Sequence, residues 1–124
     1  MKMKLKTTFT ILLLTIVFSC SHNQGNFVIS NECDFDINSL YILPDSNKQL
    51  INIKKGQIIK YNINMNDVKI DGSYLISFKN SETKKVRSTS FGYYTNGNQV
   101  EDIINIKILN DTIITSGKFD FSPN

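Results

Sequence analysis

The stretch IKYNIN, residues 59–64, alternates apolar and polar side chains with a period of two. Its odd-numbered residues are Ile, Tyr and Ile, and its even-numbered residues are Lys, Asn and Asn. This period is that of a β-strand with one buried and one solvated face, because successive side chains of a strand point to opposite sides. The stretch therefore predicts a sheet that covers a core with one of its faces.

The same alternation recurs on both sides of this stretch, and turn residues separate the repeats. The apolar positions are Phe27 and Ile29; Leu40 and Ile42; Ile51 and Ile53; Tyr74, Ile76 and Phe78; and Ile104, Ile106 and Ile108. The turn signals are PDSN (44–47), KKG (54–56), DG (71–72), NSET (80–83), NG (96–97) and ND (110–111). Seven or eight short strands are therefore expected, with helix only as a short turn around residues 64–69.

The chain contains no alanine, and β-branched residues are abundant, which also argues against long helices. Short strands with regularly spaced turns are typical of antiparallel sandwiches. We predict an all-β fold, a single antiparallel β-sandwich over residues 26–124. An immunoglobulin-like and a transthyretin-like topology both remain open.

The N-terminus has the pattern of an export signal. Lys2, Lys4 and Lys6 precede a mostly apolar run over residues 7–18. A transmembrane helix needs about 20 apolar residues, whereas a basic segment followed by 7–15 apolar residues is typical of a secretory signal peptide. Residues 1–19 are therefore predicted to be a signal peptide.

The end of this signal, Val17-Phe18-Ser19-Cys20, resembles a bacterial lipobox. The resemblance implies acylation of the Cys20 sulfur and cleavage before this residue, and residues 20–25 would then be a short polar tether. Two or three acyl chains hold a protein at a membrane where one does not. The alternative is a disulfide between Cys20 and Cys33, since exported proteins favour cysteine pairs.

If Cys20 is acylated, Cys33 is left without a partner. A lone cysteine is often a small buried hydrophobic residue. Here the acidic neighbours Glu32, Asp34 and Asp36 are expected to raise the pKa of its thiol and lower its reactivity. We therefore expect Cys33 to be buried or inert.

The charge and the residue types exclude several classes of function. Removal of Lys2, Lys4 and Lys6 leaves 11 basic residues against 11 acidic ones, so nucleic-acid binding has no electrostatic basis. The single histidine, His22, lies in the tether, and zinc sites need several His or Cys ligands. No phosphate-binding loop or catalytic motif is present. We predict that the protein is not an enzyme and has no cofactor and no metal.

The most distinctive segment is FGYYTNG, residues 91–97. Tyr93 and Tyr94 are a candidate binding surface, since exposed tyrosine rings stack on sugars or on a partner peptide. The structural alternative places Phe91 and Tyr93 in the core, with Tyr94 leaning over Gly92.

Together with VISN, GSYLISF and ILNDTII, this segment resembles small β-sandwich lipoproteins of Bacteroidota. The resemblance implies an envelope location more than an activity. We therefore expect a lipid-anchored, non-catalytic envelope protein that binds a protein or a glycan. The alternatives are an anchored inhibitor or immunity protein that neutralises a toxin and, last, a hydrolase of envelope polymers. The absence of acidic residues in SHNQG favours the periplasmic face of the outer membrane over the cell surface.

Asp111-Thr112-Ile113 resembles the short acceptor pattern for O-glycosylation in the same bacteria. Thr112 is thus a candidate glycosylation site. The same residues also suit a tight turn followed by a strand, because Asp tolerates turn geometry while Thr and Ile favour strands.

Substitution of Cys20 by alanine is expected to abolish membrane association, because it removes the only sulfur at the lipobox position. Metabolic labelling with an alkyne fatty acid should mark the wild type and the Cys33→Ala control but not Cys20→Ala. Equal labelling of Cys20→Ala would contradict the lipoprotein prediction.

Overall fold

The computed structural model describes residues 23–119, which form two packed β-sheets. The strands are β1 Gln24–Asn31, β2 Ile37–Leu43, β3 Ile51–Ile53, β4 Ile58–Asn64, β5 Gly72–Asn80, β6 Val86–Thr95, β7 Asn98–Gln99, β8 Ile103–Ile108 and β9 Ile113–Lys118. The predicted all-β sandwich is confirmed, with nine strands rather than seven or eight. The described residues contain no helix, hence none long and apolar enough to span a membrane.

The strand order distinguishes between the two expected topologies. Sheet A has the order β4-β1-β8-β9, and sheet B has the order β3-β2-β5-β6-β7. In an immunoglobulin sandwich the first two strands share a sheet, whereas β1 and β2 lie in different sheets here. If β7 is set aside and the other eight strands are lettered A to H, the sheets read D-A-G-H and C-B-E-F, which is the transthyretin-like order. β1 and β8 are parallel, and the other neighbouring strands are antiparallel.

The core lies between the sheets and is built from the residues that alternate inward. It includes a group of four aromatic rings. The Phe27 ring of β1 meets the Tyr74 ring of β5 edge-on at a centroid distance of 5.1 Å, and Phe91 and Tyr94 of β6 pack against Tyr74 at 5.5 and 5.1 Å. Such pairs contribute about 0.5–1.5 kcal/mol each beyond the burial of their surface. This aromatic cluster ties sheet A to sheet B.

A bulge in β6 changes which residues of FGYYTNG face the core. The pairing with β5 shifts between Gly72 and Tyr74, and Gly92 takes a φ of 61°. The extra residue reverses the alternation, so Phe91 and Tyr94 are buried while Tyr93 is 48% exposed. The predicted burial of Tyr93 is therefore wrong, since period-two counting cannot anticipate an inserted residue. The Tyr94 ring lies over Gly72 rather than over Gly92.

β1 begins at Gln24, two residues before the predicted start of the sandwich at residue 26. Gln24 and Gly25 already pair with β4, and the backbone of Asn23 bonds to the Asn66 side chain and to Met65 N. The polar composition of residues 20–25 concealed the start of this strand. The predicted signal peptide, Cys20 and His22 lie outside the described residues.

The predicted turn at Asn96-Gly97 is confirmed and joins β6 to β7. Both residues have positive φ, 49° and 76°, as a two-residue hairpin of the mirror-image type requires. Gly97 also packs against the loop between β4 and β5, where its N–H donates to the Ile70 carbonyl. A Cβ at Gly97 would collide with the backbone carbonyl oxygen of Val68.

Gly97→Ala is therefore expected to destabilise the protein more than Gly56→Ala. Both glycines have positive φ, 76° and 80°, so both substitutions cost about 1–2 kcal/mol of backbone strain. A Cβ at Gly56 meets nothing within 4 Å, whereas the collision at Gly97 adds roughly 1–3 kcal/mol, as overpacking does. Urea denaturation measures the change in the free energy of unfolding for both variants. Equal losses of stability would contradict the steric contact between Gly97 and the loop that contains Val68.

Candidate functional site

A groove with a volume of about 490 Å³ lies on the outer face of sheet A. We call it the sheet A groove, and its lining includes Asn26, Val28, Lys60, Asn62, Asp102 and Ile103. These residues meet because β1 lies between β4 and β8. The strand register pairs Asn26 with Asn62 and Val28 with Lys60. On the other side of β1, the pairing with β8 begins at Phe27 and Ile104, next to Ile103. The inward neighbours Phe27, Tyr61 and Ile104 are buried, so the groove residues point outward.

The floor of the groove is aliphatic and its sides are polar. Val28 and Ile103 are half-buried on the floor. The side-chain amides of Asn26 and Asn62 form no hydrogen bond within residues 23–119, although the backbone of Asn26 is held on both sides by the Gln99 side chain, at 2.8 and 3.1 Å. A fixed backbone thus presents two neighbouring amides whose donors and acceptors point away from the core.

This arrangement suits the binding of a polar ligand with an apolar face. Each amide offers two donors and one acceptor oxygen, which match vicinal hydroxyl groups, and the aliphatic floor matches the C–H face of a sugar ring. Lys60 adds a cation to the lining of the groove, which also includes Asp102. Nothing in the groove resembles a nucleophile with an oriented base.

A second polar cleft, of about 340 Å³, continues the groove at the end of the sandwich where β1 begins. It shares Asn26 and Asp102 with the groove and adds Gln24, Asn98 and Glu101. The Glu101 side chain lies against Gly117, and its Oε2 atom is buried without a hydrogen-bond partner among the described residues. Across residues 23–119 no three His, Cys, Asp or Glu side chains are grouped as metal ligands.

The predicted surface at Tyr93 and Tyr94 is divided by the bulge in β6. Tyr94 is 7% exposed and belongs to the aromatic cluster, while Tyr93 is exposed on the outer face of sheet B. The two rings therefore do not form one platform. Tyr93 lies on the sheet opposite to the sheet A groove.

Cys33 lies at the other end of the sandwich from Asn23. It is a free thiol, 1% exposed, and its backbone N–H donates to the buried side chain of Asn31 at 3.0 Å. Burial raises the pKa of the Cys33 thiol, Asp34 raises it further, and Arg87 acts in the opposite direction. The expected burial is confirmed. The expected rise in pKa is also found, although burial rather than the acidic neighbours is its main cause.

This position argues against the disulfide alternative within one chain. β1 runs from Gln24 to Asn31, a distance of about 23 Å at ~3.3 Å per residue. The link from Cys20 to Asn23 reaches back by at most about 11 Å. A disulfide between Cys20 and Cys33 of one chain is therefore incompatible with the pairing of β1.

Thr112 lies in the turn between β8 and β9 and is exposed. Its carbonyl accepts from Leu109 N at 2.9 Å, while Arg87 donates to the carbonyls of Leu109 and Asn110 at 2.9 and 3.1 Å. The Asn110 side chain and Asp34 bond reciprocally. Thr112 is thus exposed on a turn whose backbone is held by these hydrogen bonds. Its modification stays a prediction.

Sequence analysis did not identify Asn26, Lys60 or Asn62 as functional residues. The alternation in IKYNIN predicted that Lys60 and Asn62 share a solvated face. It gave no sign that β1 and β8 would lie beside this face, because those contacts join distant segments of the chain. Comparison with protein-family models, with curated proteins and with solved structures found no match.

The buried position of Cys33 predicts slow alkylation. In a Cys20→Ser variant, iodoacetamide at pH 8 should modify Cys33 roughly a hundredfold more slowly in the folded protein than in urea, because the thiol is inaccessible and little ionised. The control is Ile114→Cys in a Cys20→Ser, Cys33→Ser background, since Ile114 is 51% exposed. Mass spectrometry gives both rates, and equal rates in folded protein would contradict the burial.

Proposed function

We propose that the protein is a lipid-anchored envelope protein whose sandwich domain binds a glycan through the sheet A groove and performs no catalysis. The proposal rests on one observation. The side-chain amides of Asn26 and Asn62 lie beside an aliphatic floor and form no hydrogen bond within residues 23–119. A ligand that satisfies both amides gains hydrogen bonds that the folded protein does not make internally.

The anchor is supported by two independent arguments. The lipobox resemblance at residues 17–20 supplies an acceptor sulfur, and the chain between Cys20 and Asn23 is too short to bring Cys20 to the buried, free Cys33. Two or three acyl chains then give lasting attachment.

The short segment between Cys20 and β1 limits how far the groove can lie from the membrane. Because β1 begins at Gln24, an acyl chain on Cys20 would hold the β1 end of the sandwich within about 15 Å of the bilayer surface. The groove lies on the outer face of sheet A, alongside the strands, so the bilayer need not cover it. A periplasmic location at the outer membrane suits this arrangement, with envelope glycans within reach.

Binding should fall when the two amides are removed. We expect Asn26→Ala/Asn62→Ala to weaken glycan binding by about tenfold or more, since each lost hydrogen bond contributes about 1 kcal/mol. The measurement is a glycan microarray with the full chain, followed by isothermal titration of the best binders. Circular dichroism checks that the variant is folded.

The matched control is Tyr93→Ser, which alters an exposed residue on the opposite sheet. It is expected to leave binding unchanged. Loss of binding in Tyr93→Ser but not in the double variant would place the ligand on sheet B and contradict the proposed site. Binding of no glycan by the folded wild type would contradict glycan binding altogether.

A further inference from the structure

Charge in the described chain is divided between the faces and the ends of the sandwich. The acidic residues of residues 23–119 all lie in loops and turns, and no strand contains one. The charged residues within the strands are all basic, namely Lys60, Lys79, Arg87, Lys107 and Lys118. The strands themselves therefore carry no carboxylate, and the acidic residues lie in the loops, where Asp102 borders the sheet A groove.

Three of these cations lie on the outer face of sheet A. Lys60 on β4, Lys107 on β8 and Lys118 on β9 are exposed and pair in register with Val28, Ser30 and Ile103, which also face outward. None of the three forms an ion pair with a carboxylate of the described residues.

Arg87 is different because its charge is already used within the fold. Its guanidinium lies 5.1 Å from the centre of the Phe78 ring and donates to two carbonyls of the turn between β8 and β9. Lys79 is the single basic residue on the outer face of sheet B. The strands thus place three cations on the outer face of sheet A and one on the outer face of sheet B.

The three lysines are spread over the sheet rather than clustered. Strand spacing of ~4.8 Å and a rise of ~3.3 Å per residue place their Cα atoms about 12–16 Å apart. These separations exceed the screening length of ~8 Å at physiological ionic strength, so each lysine acts on nearby charge by itself. A ligand that meets all three must be extended and must carry several negative charges.

We propose that the outer face of sheet A binds an acidic glycan, a polysaccharide with repeated carboxylate groups. The proposal rests on the proposed function and specifies the ligand of the same site. Asn26 and Asn62 hold the hydroxyls of one sugar in the groove, and the lysines meet carboxylates of sugars further along the polymer.

The test compares polygalacturonate with its methyl-esterified form, which has the same backbone without the charges. The full chain should bind polygalacturonate. Binding should weaken when the sodium chloride concentration is raised about tenfold, from roughly 50 to 500 mM, because salt shortens the screening length. Lys60→Gln/Lys107→Gln/Lys118→Gln should lose at least roughly tenfold in affinity, since each surface charge contributes up to about fivefold.

The matched control is Lys54→Gln/Lys55→Gln/Lys85→Gln, which removes the same net charge from exposed loops. It should bind as the wild type does. An equal loss in both triple variants would reduce the effect to net charge and overturn the proposal. The salt dependence of the wild type tests the proposal even if a triple variant fails to fold.

The remaining outcomes separate this proposal from the proposed function. Equal or tighter binding of the esterified polymer would overturn the acidic ligand but leave glycan binding standing. Binding to neither polymer or any other glycan would contradict both. A third outcome is that the protein binds vesicles with roughly 30% anionic phospholipid, a surface charge similar to that of a membrane, but not polygalacturonate. If that binding depends on the three lysines, the face would bind lipid and the proposal would be overturned.

Discussion

The edge-to-face contact between Phe27 of β1 and Tyr74 of β5 is the interaction on which the rest of the structure depends. It joins the central strand of one sheet to the central strand of the other, at a centroid distance of 5.1 Å. Phe91 and Tyr94 complete the packing from β6. Because these rings are large and nearly inaccessible to solvent, they fix the relative position and the facing sides of the sheets.

The orientation of Phe27 also decides the outer surface. Since successive residues of a strand point to opposite faces, burial of Phe27 turns Asn26 and Val28 outward. The same alternation in β4 and β8 turns Lys60, Asn62 and Ile103 outward beside them. The candidate site is therefore the reverse side of the core, and a shift of β1 by one residue would destroy both together.

The ends of the sandwich perform a separate task. At one end, Asn31 satisfies the backbone around Cys33, while Arg87 and Asp34 hold the turn that carries Thr112. At the other end, Asp45 accepts from the N–H groups of Asn47 and Asn64 and closes the loop that follows β2. Polar side chains with several local partners thus stabilise the loops, while the Asn26 and Asn62 side chains on the outer face of sheet A form no hydrogen bond within residues 23–119.

The sequence by itself determined the fold class, most turns and the inward face of most strands, because these follow from period-two alternation and from local turn chemistry. It also predicted an export signal and acylation of Cys20, because the lipobox resemblance depends on consecutive residues alone. Only the tertiary structure decided the topology, the parallel pairing of β1 with β8 and the burial of Tyr94 after the bulge at Gly92. The groove at Asn26 and Asn62 likewise depends on strands that are distant in sequence, whose pairing is set by packing across the whole core rather than by any local pattern.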